Sequence, residues 1–452
     1  MAEEAALRPS PRHFSFAHLL LLVPWVALVV DAWAPLRDNS FLWHIRAGEL
    51  QAAAGQVLTT DPFSFTMNGA PWLTQSWLAE LLYTWGEQNW GLGFVPPMML
   101  LATTVTFLGI SLIAFRRSQS VSGTAVVSIL STLLLISFLV PRPVIFSFAL
   151  FVLVILAWER PSTRWALPLL FWVWASTHGS FAIGLAYVGL SLIAEREWKW
   201  LPTAILSGLV TFLTAHGLGV LTILFEFLEA GDALALLSEW RRPALISLIF
   251  LPFLIGLGLI VWAAVKGRVT PRHLWVIVPF LALGLGATRA VPPSWFALVP
   301  LVSLGVYRMR ALSSSRFSTG QAAVFAAFVL VFPFFLRSDG SLDAERFPIE
   351  AVSALGPGRT FHDDRTGGYL IWAEGPGRQV FIDDRAELYR ERLAEFVAVR
   401  DGEEPWQPVF ERDGIEQVLL RVDEPVVEDL MADGWQTVFE DDQYIVLVPR
   451  GM

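Results

Sequence analysis

Residues 37–49, RDNSFLWHIRAGE, set Asp38, His44, Arg46 and Glu49 among Phe41, Leu42 and Trp43, directly after the first long apolar run. A carboxylate and an imidazole held together can accept and pass a proton. Further along stand residues of the same kinds: Asp61 in TTDPFSF (59–65), Arg142 in RPVIFSF (142–148), and His178 in WASTHGSF (174–181). Glu239, Arg241 and Arg242 follow in SEWRRP (238–243), and Arg289 in ATRAVPPSW (287–295). Arginines near apolar run ends either snorkel to a headgroup layer or gather around an anion. Arg289, the sole charge across two apolar runs, calls for a fixed anionic partner, either a carboxylate or a phosphate. Each residue also has a structural reading. Asp38 can cap the helix that begins after it. His44 can pack on Trp43, and His178 can serve as a polar turn.

What must position these residues is a set of apolar helices. The chain has 452 residues, 54% hydrophobic and 16% charged, without cysteine, at a formal net charge of −9. Cysteine chemistry is excluded, and the negative balance argues against nucleic acid as a partner. Apolar runs near 17–33, 94–115, 121–140, 144–158, 165–178, 180–194, 200–216, 244–265, 273–288, 294–306 and 319–336 predict about eleven membrane helices over residues 1–336. Basic residues flank every second connection (Arg116 and Arg117, Arg160 and Arg164, Lys266 to Arg272), which predicts a cytoplasmic N-terminus. The loop 34–93, the loop 217–243 and the tail 337–452 then share the extracytoplasmic side with Asp38, His44, Asp61, Arg142, His178, Arg241 and Arg289.

The loop 34–93 is expected to hold two amphipathic helices, one over 41–54 and one over 74–87. In the second, Trp77, Leu78, Leu81, Leu82 and Trp85 form an apolar face suited to the headgroup level. The tail reads as a small α/β domain, with strands at 379–383, 416–421, 436–440 and 444–449 and helices at 391–399 and 424–432. Its RTGGYLIW (365–372) lacks the lysine of a phosphate loop. The D-D-R triplets 363–365 and 383–385 read as salt-bridged turns. No internal repeat supports a transporter.

Asp38, Trp43, His44, Gly48, DPFS (61–64), Trp72, WLAE (77–80), RPVIFSF, HGS (178–180) and the tail segments GGYLIW and VFIDDRAELY (380–389) together resemble a large group of bacterial multi-pass proteins. That group is similar to the C-type glycosyltransferases, among them protein O-mannosyltransferases and aminoarabinose transferases. The resemblance implies an inner-membrane enzyme that moves a sugar from a polyprenyl-phosphate donor to a glycan, lipid or protein acceptor of the envelope on the outer face. It implies Asp38 as general base, with His44, Asp61 and His178 completing the pocket and Arg289, Arg142 and Arg241 on the donor phosphate. Ser40 stands where many relatives carry a second aspartate, which leaves a divalent cation (Mg or Mn) an open alternative. So is a catalytically silent, lipid-binding scaffold in envelope glycan synthesis.

Overall fold

The computed structural model describes residues 20–222, 238–245, 247, 250–309, 340–375 and 377–451. The expected span 319–336, the start of 17–33 and residues 223–237 of the loop 217–243 lie outside the described residues.

Helices occupy the other expected apolar runs: α1 (Leu22–Ala32), then α4 (Val95–Ser118), α5 (Val121–Leu135), α6 (Val144–Glu159), α7 (Leu167–Thr177), α8 (Phe181–Glu195), α9 (Leu201–Leu209), α10 (Leu251–Val265), α11 (Leu274–Gly286) and α12 (Val291–Gly305). Two helical segments, Trp77–Ser118 and Val121–Phe138, are long and apolar enough to cross a membrane by length and composition. The others are shorter. At 1.5 Å per residue the 16 residues of α6 reach about 24 Å, below the roughly 30 Å of a hydrocarbon core. Ten of the eleven expected runs thus hold helices, and among the described residues two helical segments have the length of a span, so eleven spans are not shown.

Large side chains from these helices share one core, including Phe151, Trp158, Trp174, Phe253, Trp295 and Phe296. Its buried indoles are satisfied within the bundle. Trp174 donates to the Ser147 hydroxyl at 3.0 Å and Trp295 to that of Ser131 at 2.8 Å. The helices join two polar ends. Helix α6 starts beside Arg142 and finishes at Glu159, which accepts from Arg117 at the end of α4.

The loop after α1 holds the two expected helices, α2 (Ser40–Ala54) and α3 (Trp77–Trp90). Their packing turns part of the apolar face of α3 outward. The small and polar face of α3 (Ala79, Glu80, Tyr83, Thr84 and Gly86) is buried, while Leu82 and Trp85 are exposed. An apolar face turned outward suits lipid better than a protein core.

In the tail, β1 (Thr360–His362) pairs in parallel with β2 (Gln417–Arg421). Antiparallel β4 (Tyr444–Val448) and β3 (Gln436–Glu440) complete the sheet in the order β1-β2-β4-β3. Helices α13 (Asp364–Glu374), α14 (Ala386–Tyr389), α15 (Glu391–Arg400), α16 (Gln407–Asp413) and α17 (Pro425–Ala432) accompany it. The run 379–383 is no strand. Its Val380 makes a single parallel bridge to Ser64 in the first loop. Tail and loop also share a core, in which Trp43, Ala47, Phe63 and Trp72 pack with Phe361, Leu370, Phe381 and Tyr389.

Candidate functional site

Close approach of α2 and α3 builds the first part of the site. A Cβ at Gly48 would run into the Glu80 carbonyl and the Thr84 hydroxyl, so only glycine lets the helices meet here. The Thr84 hydroxyl donates to the Ile45 carbonyl at 2.6 Å across the same contact. Glu80 is fully buried, and three donors converge on its carboxylate: the Thr74 hydroxyl, the Gln51 amide and His44 Nδ1, the last at 2.9 Å. His44 packs on Trp43, ring centroids 3.6 Å apart.

Asp38 lies just before α2. Its Oδ1 accepts the Ser40 backbone N–H at 3.0 Å, and its Oδ2 accepts Arg142 Nε at 2.8 Å. Two further carboxylates approach the Arg142 guanidinium, Glu239 at 3.8 Å and Asp384 at 4.0 Å. Burial works against the charge on Arg142, but Asp38, Asp384 and Glu239 together raise it above the ordinary arginine range. Asp384 comes from the tail. It accepts Trp43 Nε1 at 2.7 Å and the Ser40 hydroxyl, and burial pushes its carboxyl up to about 6 against the pull of Arg142.

The residues flanking Asp384 explain how a tail residue reaches this place. Arg385 donates to Asp383 through Nε at 2.7 Å and Nη2 at 2.6 Å, and Nη2 lies 2.8 Å from Asp61 in the first loop. Its guanidinium also stacks over Trp72, 4.5 Å from the ring centroid. Asp61 further accepts the backbone N–H groups of Phe63 and Ser64, each at 3.1 Å. This network clamps loop to tail with Asp384 presented from its middle. Asp61 is therefore part of the clamp and not of the pocket that the resemblance implied for it.

His178 follows α7 in extended backbone, and the Ser180 N–H donates to its Nδ1 at 3.1 Å. Burial, then Arg289 and His44, push its imidazole down to about 3. The ring is neutral, and with Nδ1 accepting, its proton sits on Nε2. Arg289 lies in a 3₁₀ turn before α12, where Nη1 donates to Glu239 at 2.9 Å and the guanidinium stacks on Trp240. Arg241 has an exposed side chain. Its carbonyl holds that turn by accepting Thr288 N–H at 2.9 Å, so its part is indirect, and it lines neither cavity described next.

Two adjoining cavities result. A polar chamber of about 80 Å³ is lined by Ser40, His44, Arg142, His178, Arg289 and Asp384, among others. An apolar pocket of about 320 Å³ lies against it, walled by Phe148, Phe151, Trp174, Ile183, Leu283 and Phe296. Gln75, Val144, His178, Trp240 and Arg289 line both, which puts Arg289 and His178 at the junction. A wider apolar groove of about 980 Å³, lined by Leu82, Trp85, Phe94, Leu101 and Val173, has no charged residue among the described residues that line it. Asp38 lines neither member of the polar–apolar pair. It borders a separate pocket with Asp31, Arg37 and Arg346.

Of the residues singled out in the sequence, the structure thus brings His44, His178, Arg142, Glu239 and Arg289 to one chamber and leaves Asp38, Asp61 and Arg241 outside its wall. Glu80 and Asp384 were missed. Among the described residues no three of His, Asp and Glu are grouped to hold a metal ion. Of the carboxylates that line the chamber, Asp384 accepts from Trp43 and Ser40 and Glu239 from Arg289, which leaves Glu387 alone to meet a cation, so this donor set does not fit Mg or Mn. No family model matches the chain, and no curated protein matches it.

Proposed function

We propose that the chain is a membrane glycosyltransferase of the C type, taking its sugar from a polyprenyl-phosphate donor and delivering it to an envelope acceptor. The observation that carries this reading is the junction of the two cavities. An apolar pocket suits an isoprenoid chain, and the polar chamber above it offers two arginines to a phosphate. Arg142 uses only Nε, and Arg289 only Nη1, in hydrogen bonds to described residues. Their other N–H groups can turn to a phosphate while the carboxylates hold the guanidinium planes in place. When the sugar leaves, the phosphate oxygen gains charge, and cations already oriented toward it stabilise that charge without reorganising.

On this reading the chain lies in a bacterial cytoplasmic membrane, with loop 34–93 and the tail on the outer side. Asp38 changes role. Both of its oxygens are engaged and it does not line the chamber, so on this reading it positions Arg142 and is not the base. The test uses purified protein in lipid nanodiscs, a panel of polyprenyl-phosphate hexoses and a bacterial envelope extract as acceptor. Sugar transfer should occur, and Arg289→Ala should weaken donor binding and turnover together. Tight binding with no transfer from any donor would favour the silent scaffold, and absence of binding would remove both readings.

A further inference from the structure

The transferase reading leaves one role unfilled, that of the group that takes the proton from the acceptor hydroxyl. Around the chamber the choice narrows by geometry. Asp38 does not line it, and Asp384 accepts from Ser40 and Trp43 with Arg142 close by. Glu239 is held by Arg289 with Arg142 near, and Glu387 meets its own backbone N–H with no described side chain to orient it. His178 carries its proton on the nitrogen that Ser180 leaves unbonded, which makes that nitrogen a donor. His44 differs. Its Nδ1 is committed to Glu80, a carboxylate that can only accept, so the neutral ring keeps its proton there and exposes a bare Nε2. That nitrogen makes no hydrogen bond to any described residue, and His44 lines the chamber beside Arg142 and Arg289.

We propose that His44 is the catalytic base of this site and that Glu80, buried behind it, is the residue that positions it; the proposal rests on the transferase reading. The acceptor hydroxyl gives its proton to His44 Nε2 as its oxygen bonds to the anomeric carbon. The bond from that carbon to the phosphate oxygen breaks, and its electron pair leaves with the polyprenyl phosphate. Glu80 stabilises the imidazolium so formed, which returns its proton to solvent. A base fixed in one tautomer by a buried acid is the arrangement that activates nucleophiles on unrelated folds. Glu80 is well built for it. The Thr74, Gln51 and His44 donors satisfy its carboxylate, and Gly48 lets the helices come close enough for the pair to form.

The experiment has two arms, so that failure of this inference is separable from failure of the transferase reading. In the first, with the nanodisc assay above, His44→Ala should lower turnover by about 10²- to 10⁴-fold while donor binding is kept. Free imidazole should restore part of the rate, a rescue that a packing role would not allow. Glu80→Gln should lower kcat with KM nearly unchanged. Wild-type turnover in His44→Ala, or a loss that imidazole does not relieve, would overturn the assignment. If no form transfers sugar, the transferase reading fails, and the second arm decides the geometry alone. Diethyl pyrocarbonate should then modify His44 in the folded protein, and polyprenyl phosphate should protect it. No modification, or modification without protection, contradicts an Nε2 facing the phosphate site.

Discussion

Arg385 offers the sharpest test of how the site is assembled. Its side chain is 1% exposed, and both Asp383 and Asp61 are fully buried beside it. Arg385→Ala would leave two buried carboxylates facing one another without a cation, and would strip the cation from the faces of Trp72, Phe63 and Trp43. Removing one partner of a buried pair costs about 3–5 kcal/mol, roughly a hundred- to several-thousandfold in an opening equilibrium. The loss should be local, because the Ser64–Val380 bridge, the bonds of Ser40 and Trp43 to Asp384, those of Arg46 to Trp372 and of Thr66 to Phe381, and the shared aromatic core still hold loop to tail. Hydrogen exchange read by mass spectrometry is the assay. Residues 59–70 and 379–390 should exchange faster by that factor while α5 and α12 keep their protection. An Arg385→Met, Asp383→Asn, Asp61→Asn triple variant should recover most of the protection, since neutral groups need no partner charge. Unchanged exchange of 59–65 in Arg385→Ala would refute the idea that this network docks the tail.

Other expectations follow from the same geometry. Asp38→Asn should alter donor-phosphate binding through Arg142, so a variant that binds donor normally yet loses all transfer would return the base to Asp38. Gly48→Ala should cost about 1–3 kcal/mol by forcing α2 from α3, and a melting temperature equal to wild type would contradict the close approach. Burial pushes Glu424 in the tail from 4.5 up to about 8. The folded state thus keeps a proton that the unfolded chain loses between these values, and stability falls as pH rises through that window. Residues 425–432 should accordingly be better protected in Glu424→Gln than in wild type above pH about 8, and equally protected near pH 4.5. Single cysteines at exposed Asn68 and Asp442, in this cysteine-free chain, should react with an impermeant reagent in intact cells, and labelling only after lysis would reverse the proposed orientation.

Helix positions were legible because apolar runs declare themselves locally. Whether each run crosses a bilayer is less local, since a helix of 15 or 16 residues acquires its depth from neighbours and tilt. At the site, residue types were legible and partners were not. Asp38 and Arg142 are 104 positions apart, and Ser40 and Asp384 are 344 apart. The second D-D-R triplet is a salt-bridged turn, as its sequence suggests for Asp383 and Arg385. That reading hid the residue between them, which points the other way into the chamber. Glu80 left one signal that could have been followed. It is the lone acid in the first turn of its helix, on the face opposite Leu82 and Trp85, where a charge needs a buried partner.

A photoactivatable polyprenyl phosphate, crosslinked to the protein in nanodiscs and mapped by mass spectrometry, shows directly whether the isoprenoid chain enters the pocket beside Arg142 and Arg289. Adducts are expected along 144–151 and 174–183, the walls of the apolar pocket, and should be lost when Arg142 and Arg289 are both replaced by alanine. Adducts confined to the outer groove at Leu82, Trp85, Phe94 and Leu101, or a pattern indifferent to both arginines, would contradict this expectation.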